Sequence, residues 1–107
     1  MISFQEFQRM EMKVGRVLSV DDHPNADKLM LIRVDVGEAI PRTLVAGLKD
    51  YYRNEELVGK LVVVLTNLQP ARLRGIESSG MLLAGQDDKT VAVLTLDREL
   101  APGSPVK

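Results

Sequence analysis

Arg72 and Arg74 stand two residues apart on a short stretch punctuated by Pro70 and Gly75, with only Glu77 opposing them locally. A guanidinium is a planar five-donor fork that matches the paired oxygens of a phosphate or carboxylate. Two of them on one loop read as an anion-recognition element, and equally well as ordinary charges on a solvated loop. Ser78, Gly80 and Met81 follow at once. Met81 is soft and adaptable enough for a ligand surface, and just as suited to core packing. Upstream, His23 sits near Asp22 and Asp27, which raises the question of a metal site or a general base. A single histidine, no cysteine and a following proline make a poor ligand set, so His23 reads as a turn residue. No Ser/His/Asp arrangement, no phosphate-cradling glycine-rich helix start and no set of acid, base and nucleophile is visible. The expectation is a chain without catalytic, metal or cofactor chemistry.

These residues need a scaffold. The stretch Lys60 to Gly85 has two apolar runs around the arginine loop. Leu61–Leu65 is rich in β-branched residues and reads as a buried strand, and Met81–Ala84 reads as its partner. Lys13–Val20 reads as a first strand, with Gly15 marking a bulge or coil. Lys28–Gly37 reads as a second, in which Met30, Ile32, Val34 and Val36 share one face and Arg33 and Asp35 the other. Glu38–Pro41 closes a hairpin into a third strand, Arg42–Ala46. Thr90–Leu96 makes a last strand and the tail is extended. Ser3 and Glu6 have capping-box form, so Phe4 and Phe7 open a short helix expected to cover one end of the core. Asn54–Gly59 reads as one or two helical turns, with acids first and a left-handed glycine last. A cap helix, three strands, a short helix and further strands match the OB-fold, a five-stranded Greek-key barrel that binds through its second and third strands and flanking loops. A small sandwich is the competing architecture.

The 107 residues fit one domain, 1–107, with a core that needs no staple. Cysteine is absent, which excludes disulfides and is compatible with the cytoplasm. No apolar run approaches the roughly 18 residues of a membrane span, and the N-terminus lacks a signal-peptide pattern, so no membrane partner is expected. The net charge of -1 argues against a generic phosphate-coating protein. Any nucleic-acid contact must come from a local basic face. The predicted strands carry none of the two Phe and two Tyr in the chain. OB domains that hold single strands stack bases on aromatic side chains, whereas folded RNA is met through phosphates, 2′-hydroxyls and shape. The composition therefore favours a structured ligand.

Several segments occur in a familiar order and spacing: HPNADKL from His23 to Leu29, VDVG from Val34, VAGL from Val45, EELVGK from Glu55, and NLxPxxLRGxxSxGMLLA from Asn67 to Ala84. They resemble the tRNA-binding domain that exists free-standing, as the C-terminal appendix of many methionyl-tRNA synthetases, and in cytokine-like modules of animal synthetase complexes. The resemblance covers nearly the whole chain. It implies an OB-fold with extra terminal segments, acting as a homodimer. It implies shape-selective binding at the outer corner of tRNA, no catalysis, and, in a synthetase, raised affinity for tRNA. Arg72, Arg74, Ser78 and Met81 then fall at the RNA surface, joined by Asn25 and Lys28 of HPNADKL. Asn25 is equally a turn former, and Lys28 equally a partner of Asp27 or Asp22. Arg33 and Arg42 are added by strand geometry. The apolar run Leu61–Leu65 and the terminal segments are candidates for the dimer surface. Secretion-chaperone relatives of the same fold offer the alternative of a protein-interaction module.

Overall fold

Alternation of apolar and polar residues sets the sheet. The computed structural model describes residues 1–107. Strand β1, Met12–Asp22, buries Val14, Val17 and Val20. Strand β2, Met30–Asp35, buries Met30, Ile32 and Val34 and leaves Arg33 exposed. This is the period-two face read from the sequence. Strand β3, Arg42–Ala46, buries Leu44. After the short helix α2, Asn54–Leu57, comes strand β4, Leu61–Leu65, whose Val62, Val63 and Val64 are all buried. A strand buried on both faces reads as a continuous apolar run, which is why this one was legible. Its three central valines are covered within the chain, so of that run only the half-buried Leu61 and Leu65 are left to face a second protomer.

All neighbours are antiparallel. With β7, Met81–Leu82, the order is β3-β2-β1-β4-β7. Strand β1 is long enough to pair β4 through Met12–Arg16 and β2 through Arg16–Asp22, so it bends across the barrel. Gly15 sits at the bend because a Cβ there would lie 2.4 Å from Cγ1 of Val34. Of the bulge or coil expected at Gly15, the structure has the bend, and the bulge lies elsewhere: the register slips at Leu18, between the Val17–Val34 and Ser19–Arg33 pairs. The remaining gap, between β3 and β7, is bridged by the Ser79 N–H donating to the Thr43 carbonyl at 3.0 Å. Five strands thus make a nearly closed barrel, and α2 inserts Leu57, with no exposed surface, into the core. Helix α2 lies between the third and fourth strands of the barrel. The architecture is that of an OB-fold.

The ends differ from expectation. Helix α1, Phe4–Gln8, carries the predicted capping box: the Ser3 hydroxyl accepts from the Glu6 amide at 3.1 Å, and the Glu6 carboxylate from the Ser3 amide at 3.0 Å. It buries no residue, and Phe4 is 71% exposed, so α1 is not a lid on the core. The tail does extend, and its strand β10, Pro105–Val106, pairs the first residues of β1. The predicted strand Met81–Ala84 breaks at Leu83. Ala84–Gln86 (β8) leaves to pair Val91–Val93 (β9), a hairpin tied to the barrel by the Val93 N–H donating to the Tyr52 hydroxyl at 3.1 Å.

Candidate nucleic-acid interface

The arginine stretch is a β-hairpin rather than a loop. Ala71–Leu73 (β5) pairs Ile76–Ser78 (β6), with Leu73 opposite Ile76 and only Arg74 and Gly75 between them. Both turn residues have positive φ, 54° and 92°. Two such residues make the tight turn whose twist matches a hairpin, and Asn-Gly or Asp-Gly is its usual signature. Arginine at the first position hid the signal. The turn places Arg74 at the tip. Arg72 is exposed on the adjoining strand, directly across from Glu77.

The tip does not stand alone. Residues 23–29 form the turn between β1 and β2, closed by the His23 N–H donating to the Leu29 carbonyl at 3.1 Å. The Arg74 guanidinium donates through Nη2 to the Asn25 carbonyl at 3.1 Å. Asn25, Ala26, Asp27, Lys28, Leu29 and Arg74 line one open polar recess. Asn25 and Lys28 of one selected segment meet Arg74 of another there, 46 or more residues away in the chain. Lys28 lies 3.3 Å from Asp50, a partner the sequence did not indicate, and the two side chains are 80% and 55% exposed. An ion pair so open to water is weak and leaves the ammonium available. Arg33 projects from β2, flanked in register by Ser19 and Thr43.

Two selected residues are engaged inside the protein. Ser78 is buried; its hydroxyl accepts from the Val45 N–H at 3.0 Å and donates to the Gly80 carbonyl at 3.1 Å. It clamps the hairpin to β3. Arg42 forks onto Glu38 through two 2.8 Å bonds and donates to the Thr66 and Ser79 carbonyls at 2.6 and 3.1 Å. That bonding raises the Arg42 pKa and holds the Glu38 carboxyl below its ordinary value. Arg42 thus ties β3 to the ends of β4 and the hairpin, across the barrel gap. Met81 is exposed, contrary to the core-packing alternative. It lines an apolar groove of about 400 Å³ with Tyr51, Leu68, Leu73 and Leu82. No sequence pattern announces this groove, because its walls come from four separate segments.

No three His, Asp or Glu side chains converge as a metal-ligand set, and no helix is long and apolar enough to cross a membrane. A family model described as "Putative tRNA binding domain" matches residues 12–105. Methionine--tRNA ligase of Pyrococcus furiosus is 51% identical over 99% of this chain, and that of Nanoarchaeum equitans 50% identical over 100%. The chain spans 14% of the length of these relatives. Among solved structures, a MetRS-related protein from Pyrococcus horikoshii superposes with a TM-score of 0.92 at 32% identity, covering 100% of this chain and 98% of the other. The chaperone CsaA of Bacillus anthracis superposes with a TM-score of 0.89 at 25% identity, covering 100% and 99%. By sequence and by fold, this chain belongs to the tRNA-binding domain family found in methionyl-tRNA synthetases.

Proposed function

We propose that this chain binds folded tRNA at its outer corner by shape, without catalysis of its own. Joined to the catalytic part of a methionyl-tRNA synthetase in the cytoplasm, it raises that enzyme's affinity for tRNA. The observation that carries the reading is the meeting of Arg74, Asn25 and Lys28 at one recess, with Arg72 beside it on a two-stranded hairpin. Cations on a pre-formed turn suit phosphates and riboses held at fixed spacing. None of the strands carries an aromatic residue, so the barrel offers no stacking platform for a single strand. A mobility-shift assay with folded tRNA, competed by single-stranded and by double-stranded RNA, tests this. Preference for tRNA over both is expected. Equal competition by single-stranded RNA would remove the structural selectivity.

The apolar groove beside Met81, with the likeness to a chaperone, favours a second reading as a protein-interaction module. In that case affinity for an unfolded client exceeds affinity for tRNA and persists at high salt.

The proposal includes a homodimer. Helix α1 exposes Phe4, and Ile2 and Met10 beside it are exposed as well. Apolar side chains grouped at one end suit a self-complementary two-fold contact. A tRNA that meets both protomers gains through effective concentration. Phe4→Ser with Met10→Ser is expected to convert a dimer to a folded monomer in sedimentation and to weaken tRNA binding. A wild-type chain that sediments as a monomer at micromolar concentration ends the dimer proposal.

A further inference from the structure

His23 is a turn residue, as its sequence context suggests, but it also reaches out of its turn. The residue is 5% exposed. Its Nδ1 lies 3.0 Å from the Asn25 amide nitrogen, two residues on. Its Nε2 lies 3.0 Å from the Leu73 carbonyl oxygen, 50 residues away in sequence. The two partners fix the ring's proton. A backbone N–H can only donate, so Nδ1 must accept and carries no hydrogen. A carbonyl can only accept, so Nε2 must donate and carries one. The result is one neutral tautomer, with both ring nitrogens satisfied. No buried side-chain nitrogen or oxygen in the chain lacks a partner.

We infer that His23 is the positioning residue that makes the Asn25–Lys28 turn and the Arg72–Arg74 hairpin one binding surface, held as the Nε2–H tautomer. The inference rests on the tRNA-binding reading above. The hairpin needs such a tie. Ala71, Arg72, Leu73, Arg74, Gly75 and Glu77 are all exposed, so little apolar burial holds the tip. Its base is clamped by Ser78 and Ser79 to β3, but towards the tip it has only two bonds to the turn: the one from His23 and the one from Arg74 to the Asn25 carbonyl. Both end on residues at or beside the proposed contacts: Leu73 lies between Arg72 and Arg74, and Asn25 donates through its amide to His23 and accepts at its carbonyl from Arg74. A binding surface kept in register does not have to be ordered when RNA arrives, and that ordering cost otherwise subtracts from affinity.

No other side chain supplies both bonds. Asparagine can place an acceptor where Nδ1 stands and keep the turn, but it is too short to reach Leu73. Glutamine can place a donor near the position of Nε2 and keep the tie to the hairpin, but not the turn bond. Alanine keeps neither. These variants separate a tie between elements from general stability.

The test uses the whole chain. In wild type, two-bond nitrogen-proton spectra should show Nε2 protonated and Nδ1 bare. Backbone order parameters over residues 71–77 should be near the rigid value of about 0.85. His23→Ala and His23→Asn should both lower those order parameters and weaken tRNA binding about tenfold, with the barrel's melting transition retained. His23→Gln should restore most of the hairpin order and part of the affinity. A proton on Nδ1, or a hairpin as rigid in His23→Ala as in wild type, overturns the inference. So does loss of affinity that His23→Asn repairs fully, since that would assign the histidine to its own turn alone. Wild type that fails to bind tRNA defeats the functional reading instead, while the tautomer and the order parameters still decide the tie.

Discussion

Replacing Arg72 by alanine together with Arg74 by asparagine is expected to weaken tRNA binding about a hundredfold while leaving the barrel folded. The choice of asparagine follows from the backbone. Arg74 holds φ 54°, a region where alanine is strained and asparagine is at ease. Alanine there would mix turn strain with loss of charge, whereas Arg74→Asn, just before Gly75, would make the preferred sequence of this turn. The magnitude comes from two charge-assisted contacts. Each is worth roughly 1.4 kcal/mol, a factor of ten, just below the roughly 1.5–3 kcal/mol of hydrogen bonds to charged groups in folded proteins, because both arginines are exposed. Each cation removed from the phosphate contacts should also flatten the slope of log K against log salt by about 0.9. Binding isotherms at several salt concentrations therefore give two numbers, an intercept and a slope. A hundredfold loss with the slope reduced by about two per RNA-contacting hairpin supports direct phosphate contact. Unchanged affinity in the folded double variant removes the hairpin from the interface. A large loss with an unchanged slope assigns the arginines to shaping the site rather than to neutralising phosphate.

Such a test is needed because residue type told only part of the story. The buried alternation of β2 and the solid apolar run of β4 were legible, since burial must follow backbone period. Asn25 and Lys28 were selected from one segment and Arg74 from another, and they meet. Ser78 and Arg42 show where that reasoning fails. Hydroxyl and guanidinium groups serve ligands and barrel closure with the same chemistry, and composition does not say which way they point. In the fold their partners are main-chain groups, the carbonyls at Thr66, Ser79 and Gly80 and the Val45 amide, together with the Glu38 carboxylate. A bond to a distant main-chain carbonyl leaves no residue pattern to find. The same holds for His23 and Leu73. Phe4 failed for a different reason: helical spacing identifies an apolar face, not the surface that covers it.

Barrel closure itself makes the second large effect. Gly80→Ala is expected to destabilise the chain by about 2–6 kcal/mol, the sum of roughly 1–3 for strained backbone and about 1–3 for overpacking. Gly80 is buried with φ 133°, and an added Cβ would lie 2.9 Å from the Leu65 carbonyl oxygen, 3.3 Å from Leu44 and 3.4 Å from Val64. The closest of these is main chain of β4 and cannot rotate away. Gly75 separates the two contributions: its φ is 92°, but nothing lies within 4 Å of its would-be Cβ. Gly75→Ala should therefore cost only about 1–2 kcal/mol, the strain of a left-handed L-residue. Near 100 residues each kcal/mol moves the melting temperature by about 4 °C or more. Thermal melts should then show a fall of about 15 °C for Gly80→Ala and about 5 °C for Gly75→Ala. Equal falls would mean that backbone strain alone matters at Gly80 and that the β4 carbonyl yields. The position matters beyond stability. The Gly80 carbonyl receives the Ser78 hydroxyl, the Ser79 amide reaches Thr43, and Arg42 reaches the Ser79 carbonyl. Three successive residues thus close the last gap of the barrel, and the hairpin that carries Arg72 and Arg74 grows directly from that seam. Only a residue without a side chain lets β7 turn close enough to β4 for both to happen at once.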